Sequence, residues 1–166
     1  MNGGMELYLH MPFCVRKCAY CDFLSFPTDQ ETQNLYTRRL REDIDAMGKK
    51  YGDIPVDTIF IGGGTPSVPD SALIVGIMEH VRKAFHVAEG AEISMEANPG
   101  TVTREKLTDY RRAGINRLSF GLQSANDREL KLLGRIHTWA EFLERTSIST
   151  LCQRCRDRPA SPGRTP

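Results

Sequence analysis

The sequence has no long hydrophobic run, no excess of charge of either sign and no arrangement typical of a signal peptide. Its apolar stretches fall well short of the about 18 to 20 residues that a membrane-spanning helix needs, so no membrane span is expected. The net charge is only +1, which predicts no binding to nucleic acid or to a charged membrane surface. The opening MNGGMELYLHMPFC lacks the basic, apolar and small-residue order of a secretion signal, so a cytoplasmic location is expected.

Cysteine is also scarce, but three of the five cysteines lie within the octapeptide CVRKCAYC, as Cys14, Cys18 and Cys21. Disulfides between cysteines so close in sequence would stabilise a fold very little. In a chain without a secretion signal, metal binding is therefore favoured over disulfides. Three thiolates suit a 4Fe-4S cluster that keeps one iron open for another ligand. A structural zinc site is the alternative, but it needs a fourth ligand, and the next residues are Asp22 and Phe23.

The hydrophobic pattern predicts four strands, each followed by a helix. The strands are expected at 7–13, 57–61, 92–97 and 117–123. Asp70, Thr103 and Asn126 are expected to cap helices, and Thr138 with Glu141 forms a capping box. Repeated strand-helix units indicate an α/β fold with a parallel sheet, for which an open doubly wound sheet and a barrel segment both fit.

Polar and glycine-rich residues follow the end of each predicted strand, at 14–21, 62–65, 96–98 and 123–124. In parallel α/β architectures the carboxyl edge of the sheet is where chemistry is assembled, so these segments predict a site.

Each motif also has an ordinary structural explanation. The segment 62–67 is either a tight turn or a backbone that a ligand can approach closely; it lacks the last glycine of the dinucleotide fingerprint and the Gly-Lys of a P-loop. Glu96 fits a solvated edge position, and Gln123 with the following serine fits a turn. Arg135 fits the surface, and His137 fits a packed or solvated position.

Taken together, the motifs resemble a known family. CVRKCAYC has the CxxxCxxC arrangement of the radical S-adenosylmethionine (SAM) superfamily. With LYLHMPFC, IFIGGGTPS, EANPGT, GINRLSFGLQS and LGRIHT, it resembles the oxygen-independent coproporphyrinogen III oxidase-like branch, and within it the HemW-type heme chaperones. The resemblance covers about residues 5–144 and implies an α/β fold made of the N-terminal portion, about four βα units, of a partial (βα)6 barrel.

The resemblance also implies cofactors and their contacts. Cys14, Cys18 and Cys21 would hold a 4Fe-4S cluster whose open iron binds SAM, and reductive cleavage of SAM would release a 5′-deoxyadenosyl radical. Heme, heme-acceptor proteins and a reductant such as flavodoxin or ferredoxin are further implied. The positions that match SAM contacts in the family are Tyr8, Tyr20, Gly63, Gly64, Thr65, Glu96, Gln123 and Arg135.

One departure separates the branches. The oxidases carry a further cysteine two residues after the last cluster ligand, where this chain has Phe23. The resemblance therefore favours a heme chaperone over coproporphyrinogen oxidation, which stays as an alternative.

The composition changes near Glu144. Residues 145–166 contain five arginines, three prolines and no lysine, so a core domain is predicted at 1–144 and a disordered or out-of-register tail at 145–166. A reading-frame change near Glu144 would explain the shift. Cys152 and Cys155 form a C-x-x-C, which in such a tail fits coincidence better than a metal or redox pair. With an incomplete barrel, the isolated chain is expected to be unstable or to aggregate.

Overall fold

A computed structural model describes residues 4–154 of the chain, with side chains for residues 4–148. The described part is a four-stranded sheet with α-helices between and after the strands. The strands are β1 (Met5–Met11), β2 (Val56–Gly63), β3 (Val87–Ala97) and β4 (Arg117–Phe120). The helices are α1 (Gln30–Tyr51), α2 (Ser71–Ala84), α3 (Arg104–Arg112), α4 (Asp127–Leu132) and α5 (Trp139–Arg154), with a short 3-10 turn at Pro99–Thr101.

All neighbouring strands are parallel, and they lie side by side in chain order, β1-β2-β3-β4. A doubly wound sheet reverses its strand order at a switch point, whereas this order runs one way, as in a barrel. The predicted α/β barrel segment is therefore confirmed, and the doubly wound alternative is not observed. The four carboxyl ends lie at one edge of the sheet.

The strand register gives the sheet two different faces. Tyr8 lies beside Phe60, and both side chains are exposed. One residue further along each strand, Leu9 lies beside Ile61 and Ile61 beside Met95, and all three are buried. This alternation is the two-residue period of a strand that packs on one side only. Helices contact the buried face; the core they share includes Leu9, Met11, Ile59, Ile61, Ile74, Ile77, Met78, Val81, Ile93, Met95, Leu107 and Tyr110.

Short polar side chains begin the helices as the sequence predicts. Asp70 accepts a hydrogen bond from the backbone N–H of Ala72, and Asn126 accepts one from Arg128, both at 2.9 Å. Thr103 caps α3 in the same way. At α5 the Thr138 N–H donates to Oε2 of Glu141 at 2.7 Å, which confirms the capping box. Within the described residues no helix has both the length and the apolar character to cross a membrane.

The strand ends differ from the predictions for local reasons. β1 stops at Met11 because Pro12 has no N–H to continue the ladder. β4 stops at Phe120, and Gln123, placed in the strand by the sequence pattern, has a positive φ of 76° that no extended strand allows. β3 begins at Val87, earlier than predicted. Its first residues include Gly90, which has a φ of 81°, and a glycine in the sequence is typical of a loop rather than of a strand.

Helix α5 continues to Arg154, beyond the predicted domain boundary at residue 144. The division into a core at 1–144 and a tail at 145–166 stays a prediction, because most of that tail lies outside the described residues. The side chain of Cys152 and the whole of Cys155 lie there as well, so the same holds for the C-x-x-C pair.

Candidate functional site

The three cysteines lie on a loop that is closed at its base. Phe13 and Phe26 form an isolated parallel bridge, and the Cys14 N–H donates to the carbonyl of Phe26 at 3.2 Å. Cys14, Cys18 and Cys21 are free thiols, each half-buried. The sequence thus places three thiols on a segment whose two ends are held at the carboxyl end of β1.

His10 anchors the same loop, a role that the sequence did not reveal. Its Nε2 lies 3.1 Å from the carbonyl of Leu24, which can only accept, so Nε2 donates. In the neutral ring Nδ1 is then an acceptor for the hydroxyl of Tyr8, 3.0 Å away. The strand β1 therefore holds the far end of the cysteine loop through a side chain.

The glycine segment, which the sequence pattern placed after the strand, includes the last residues of β2 and runs against the start of the cysteine loop. The Gly64 N–H donates to the carbonyl of Met11 at 2.8 Å, and a Cβ on Gly64 would lie 2.6 Å from the carbonyl oxygen of Phe13. Gly63 has φ of 113°, and a Cβ there would lie 2.5 Å from the His10 ring. Packing alone thus requires both glycines. Thr65 brings its Oγ1 to 3.6 Å from the sulfur of Cys14.

Glu96 lies near the end of β3 and faces the glycine segment. Its Oε2 accepts a hydrogen bond from the Gly63 N–H at 3.1 Å, and the side chain is half-buried. It is therefore not the fully solvated edge residue that its sequence position allows.

Gln123 has left-handed backbone, which is uncommon for a residue with a side chain and often marks a functional site. Its neighbour Ser124 makes the turn, because its Oγ donates to Glu129 at 2.5 Å and accepts from the Asn126 N–H at 3.0 Å. The sequence allowed a turn role for Gln123 and Ser124 together. In the structure the hydroxyl of Ser124 stabilises the turn, and Gln123 lines the cleft described below.

Arg135 reaches back to the cysteine loop rather than lying free on the surface. Its Nη1 lies 3.8 Å from the sulfur of Cys18 and 3.3 Å from the hydroxyl of Tyr20, and its Nη2 donates to the carbonyl of Gly121 at 2.5 Å. Its Nε is buried and has no hydrogen-bond partner among the described residues. Burial raises the pKa of Tyr20, and the nearby Arg135 charge opposes that shift.

These segments enclose one cleft of about 340 Å³ at the carboxyl edge of the sheet. Ten of the eleven predicted site residues line it: Cys14, Cys18, Tyr20, Cys21, Gly63, Gly64, Thr65, Glu96, Gln123 and Arg135. The exception is Tyr8, which is 58% exposed and stacks on Phe60 with ring centroids 6.1 Å apart. Burial and then Glu96 raise the pKa of Tyr8.

A buried polar network adjoins the cleft, which Asn98 lines. Ser67 accepts the N–H of Asn98 at 3.0 Å, and Asn98 Oδ1 lies 3.1 Å from Nδ1 of His137. His137 is only 4% exposed, so of the two positions weighed for it the packed one is observed. Burial, and then the Arg135 charge, lower its pKa. Ser67 and Asn98 lie in the segments 62–67 and 96–98 that the sequence marked, but no pattern predicted the hydrogen bond between them, since serine and asparagine are common in turns.

Within residues 4–148, no group of three or more His, Cys, Asp or Glu side chains is arranged to hold a single metal ion. In a 4Fe-4S cluster each thiolate binds a different iron, so such a cluster does not require its ligands to converge on one point.

The parallel barrel segment and its cysteine-lined cleft define a class of protein. The family model described as the radical SAM superfamily matches residues 8–148, and the chain belongs to this superfamily. Among its relatives, the chain is 45% identical over 139 residues to the heme chaperone HemW of Escherichia coli (strain K12), covering 80% of this chain and 35% of that protein. It is 41% identical over 142 residues to HemW of Haemophilus influenzae, covering 82% and 37%.

A solved structure of similar fold is the Escherichia coli coproporphyrinogen III oxidase HemN, described as a radical SAM enzyme. Its TM-score is 0.84 at 27% identity, over 91% of this chain and 35% of that one. Methylornithine synthase, with a TM-score of 0.53 at 15% identity over 90% of this chain and 42% of that one, shares the fold. The chain thus spans about a third of the length of the HemW relatives and of HemN.

Proposed function

We propose that the chain is the N-terminal part of a HemW-type heme chaperone that binds a 4Fe-4S cluster and SAM in the cleft. The observation that carries the proposal is the meeting of three free thiols with Arg135, Glu96 and Gln123 in one cleft. Heme as cargo, heme-acceptor proteins, an external reductant and a cytoplasmic location belong to the same proposal. Similarity to relatives named heme chaperones supports heme as the cargo.

The donor set fits an iron-sulfur cluster. Thiolates are soft ligands that suit iron-sulfur clusters. Cys14, Cys18 and Cys21 all line the cleft, and none of them forms a disulfide. Thr65 beside Cys14 and Arg135 beside Cys18 place hydrogen-bond donors next to two of the three sulfurs. Such donors favour the anionic thiolates that a cluster needs.

Two charged side chains that line the cleft fit a zwitterionic ligand such as SAM. The buried Nε of Arg135 is a donor without a partner among the described residues, which suits a carboxylate. Glu96 uses one oxygen for the Gly63 N–H and has further acceptor capacity for a donating group. When bound, the cluster and SAM supply one-electron chemistry, while the chain orients both and shields them with the cysteine loop.

Coproporphyrinogen III oxidation is the second candidate, favoured by the likeness to HemN. Phe23 argues against it, since the position where the oxidases have a further cysteine holds a side chain that is 66% exposed and cannot bind metal. Decarboxylation of coproporphyrinogen by the chain supplied with reductant and SAM would support this second candidate and overturn the chaperone proposal.

Anaerobic reconstitution with iron and sulfide tests the cluster. We expect a brown protein with broad absorbance in the visible range, and loss of that absorbance in Cys14→Ala, Cys18→Ala and Cys21→Ala. Conversion of Thr108, whose hydroxyl bonds only within α3, to Ala is the matched control and keeps the colour. Stoichiometric zinc in the purified chain, with no cluster after reconstitution, would instead support a structural zinc module.

A further inference from the structure

Arg16, in the middle of the cysteine loop, makes two long-range hydrogen bonds. Its Nε donates to the carbonyl of Gly134 at 2.8 Å and its Nη2 to the carbonyl of Arg135 at 2.9 Å. The two partners lie 118 and 119 residues away in the sequence. A guanidinium can grip two successive carbonyls because its donors are held in a rigid planar fork.

The adjacent Lys17 shows that this is not a general property of the loop. Its ammonium donates to the carbonyl of Phe23, so it closes the loop on itself. Arg16, by contrast, is exposed at the rim of the cleft and connects the loop to the segment that follows α4.

The segment held by Arg16 is the one that carries Arg135. From that backbone the Arg135 guanidinium returns to the loop, with Nη1 3.8 Å from the Cys18 sulfur and 3.3 Å from the Tyr20 hydroxyl. The loop and the segment therefore hold each other in place in both directions. The Arg16 side chain binds the backbone of Arg135, and the Arg135 side chain contacts the sulfur of Cys18.

We propose that Arg16 is a positioning residue that sets the distance between the Arg135 charge and Cys18, and through it the reduction potential of the cluster. The proposal rests on the proposed function. A reduced cluster carries one more negative charge than an oxidised one, so a cation held at a ligand sulfur favours the reduced form and raises the potential. Without Arg16 the segment loses both bonds, the guanidinium moves away and the potential falls.

The test is a redox titration of the reconstituted chain, followed by electron paramagnetic resonance in the absence of SAM. Four forms are compared: wild type, Arg16→Gln, Arg135→Gln and the double variant. Arg38→Gln is the control, since Arg38 is also an exposed arginine but lies on α1. We expect a more negative midpoint potential for Arg16→Gln and no change for Arg38→Gln.

The double variant separates positioning from a direct effect of the Arg16 charge. If Arg16 acts through Arg135, removing Arg16 in the Arg135→Gln background shifts the potential much less than it does in wild type. An unchanged potential in Arg16→Gln, or the same full shift in both backgrounds, would overturn the proposal. Wild-type chain that takes up no cluster would overturn the proposed function itself, and this is seen before any variant is compared.

Release of iron to a chelator gives a second measurement. We expect the cluster to be lost about 10-fold faster from Arg16→Gln than from wild type, the size typical when an outer partner of a ligand is removed. Equal rates would count against the proposal. If Arg16→Gln does not fold, Arg16→Lys replaces it: lysine keeps the charge but not the planar fork, so a smaller shift of the same sign is expected, and no shift overturns the proposal.

Discussion

Replacing Ser67 with Ala removes only one oxygen atom, but it should lower the free energy of unfolding substantially. Ser67 is fully buried, and its Oγ accepts the Asn98 N–H at 3.0 Å and lies 2.6 Å from Oγ1 of Thr101. The Thr101 hydroxyl already donates to the carbonyl of Asn98, so the Ser67 hydroxyl must donate to Thr101. The alanine variant leaves the buried N–H of Asn98 without its acceptor.

A buried donor left unsatisfied costs about 1 to 3 kcal/mol, and the cavity left by one oxygen adds little, so we expect a loss of about 2 kcal/mol in the free energy of unfolding. Urea denaturation followed by circular dichroism measures it, as a lower midpoint at an unchanged slope. Ser147→Ala removes an exposed hydroxyl bond within α5 and is the matched control, with a change within about 0.5 kcal/mol. Equal midpoints for the two variants would refute the reasoning.

Three further outcomes are expected. Gly64→Ala should destabilise the chain by about 2 kcal/mol or more, because its Cβ would lie 2.6 Å from the carbonyl oxygen of Phe13, whereas Gly76→Ala inside α2 should stabilise it by up to about 1 kcal/mol; thermal melting that ranks the two alike would contradict this. Burial lowers the pKa of His137, so below about pH 6.5 the unfolded chain takes up a proton that the folded chain resists. Stability should therefore fall as the pH drops below that value, and His137→Gln should show a smaller fall in urea midpoint than wild type; an identical pH profile would count against it. Gln123→Gly should relieve left-handed backbone and stabilise the apo chain by about 1 kcal/mol while weakening SAM binding in isothermal titration; unchanged affinity would show that the side chain does not serve the ligand.

Much of the site could be predicted because the sheet is parallel. Every strand ends at the same edge, so residues that follow strand ends in the sequence meet in space, and ten of the eleven predicted site residues do line the cleft. Tyr8 is the exception because it lies in the middle of β1, where the two-residue period directs its side chain to the exposed face beside Phe60. Its contact with SAM stays a prediction, as do the roles of the other residues.

The sequence by itself determined the order of strands and helices, the caps at Asp70, Thr103 and Asn126, and the three thiols after β1. These features depend on residues that are close in the chain, through periodicity, capping and the absence of an N–H in proline. Only the tertiary structure decided that the strands lie in barrel order, that His10 holds the far end of the cysteine loop and that Arg16 grips the backbone of Arg135. Those contacts join residues far apart in sequence, and strand register and loop path, which no local pattern specifies, bring them together.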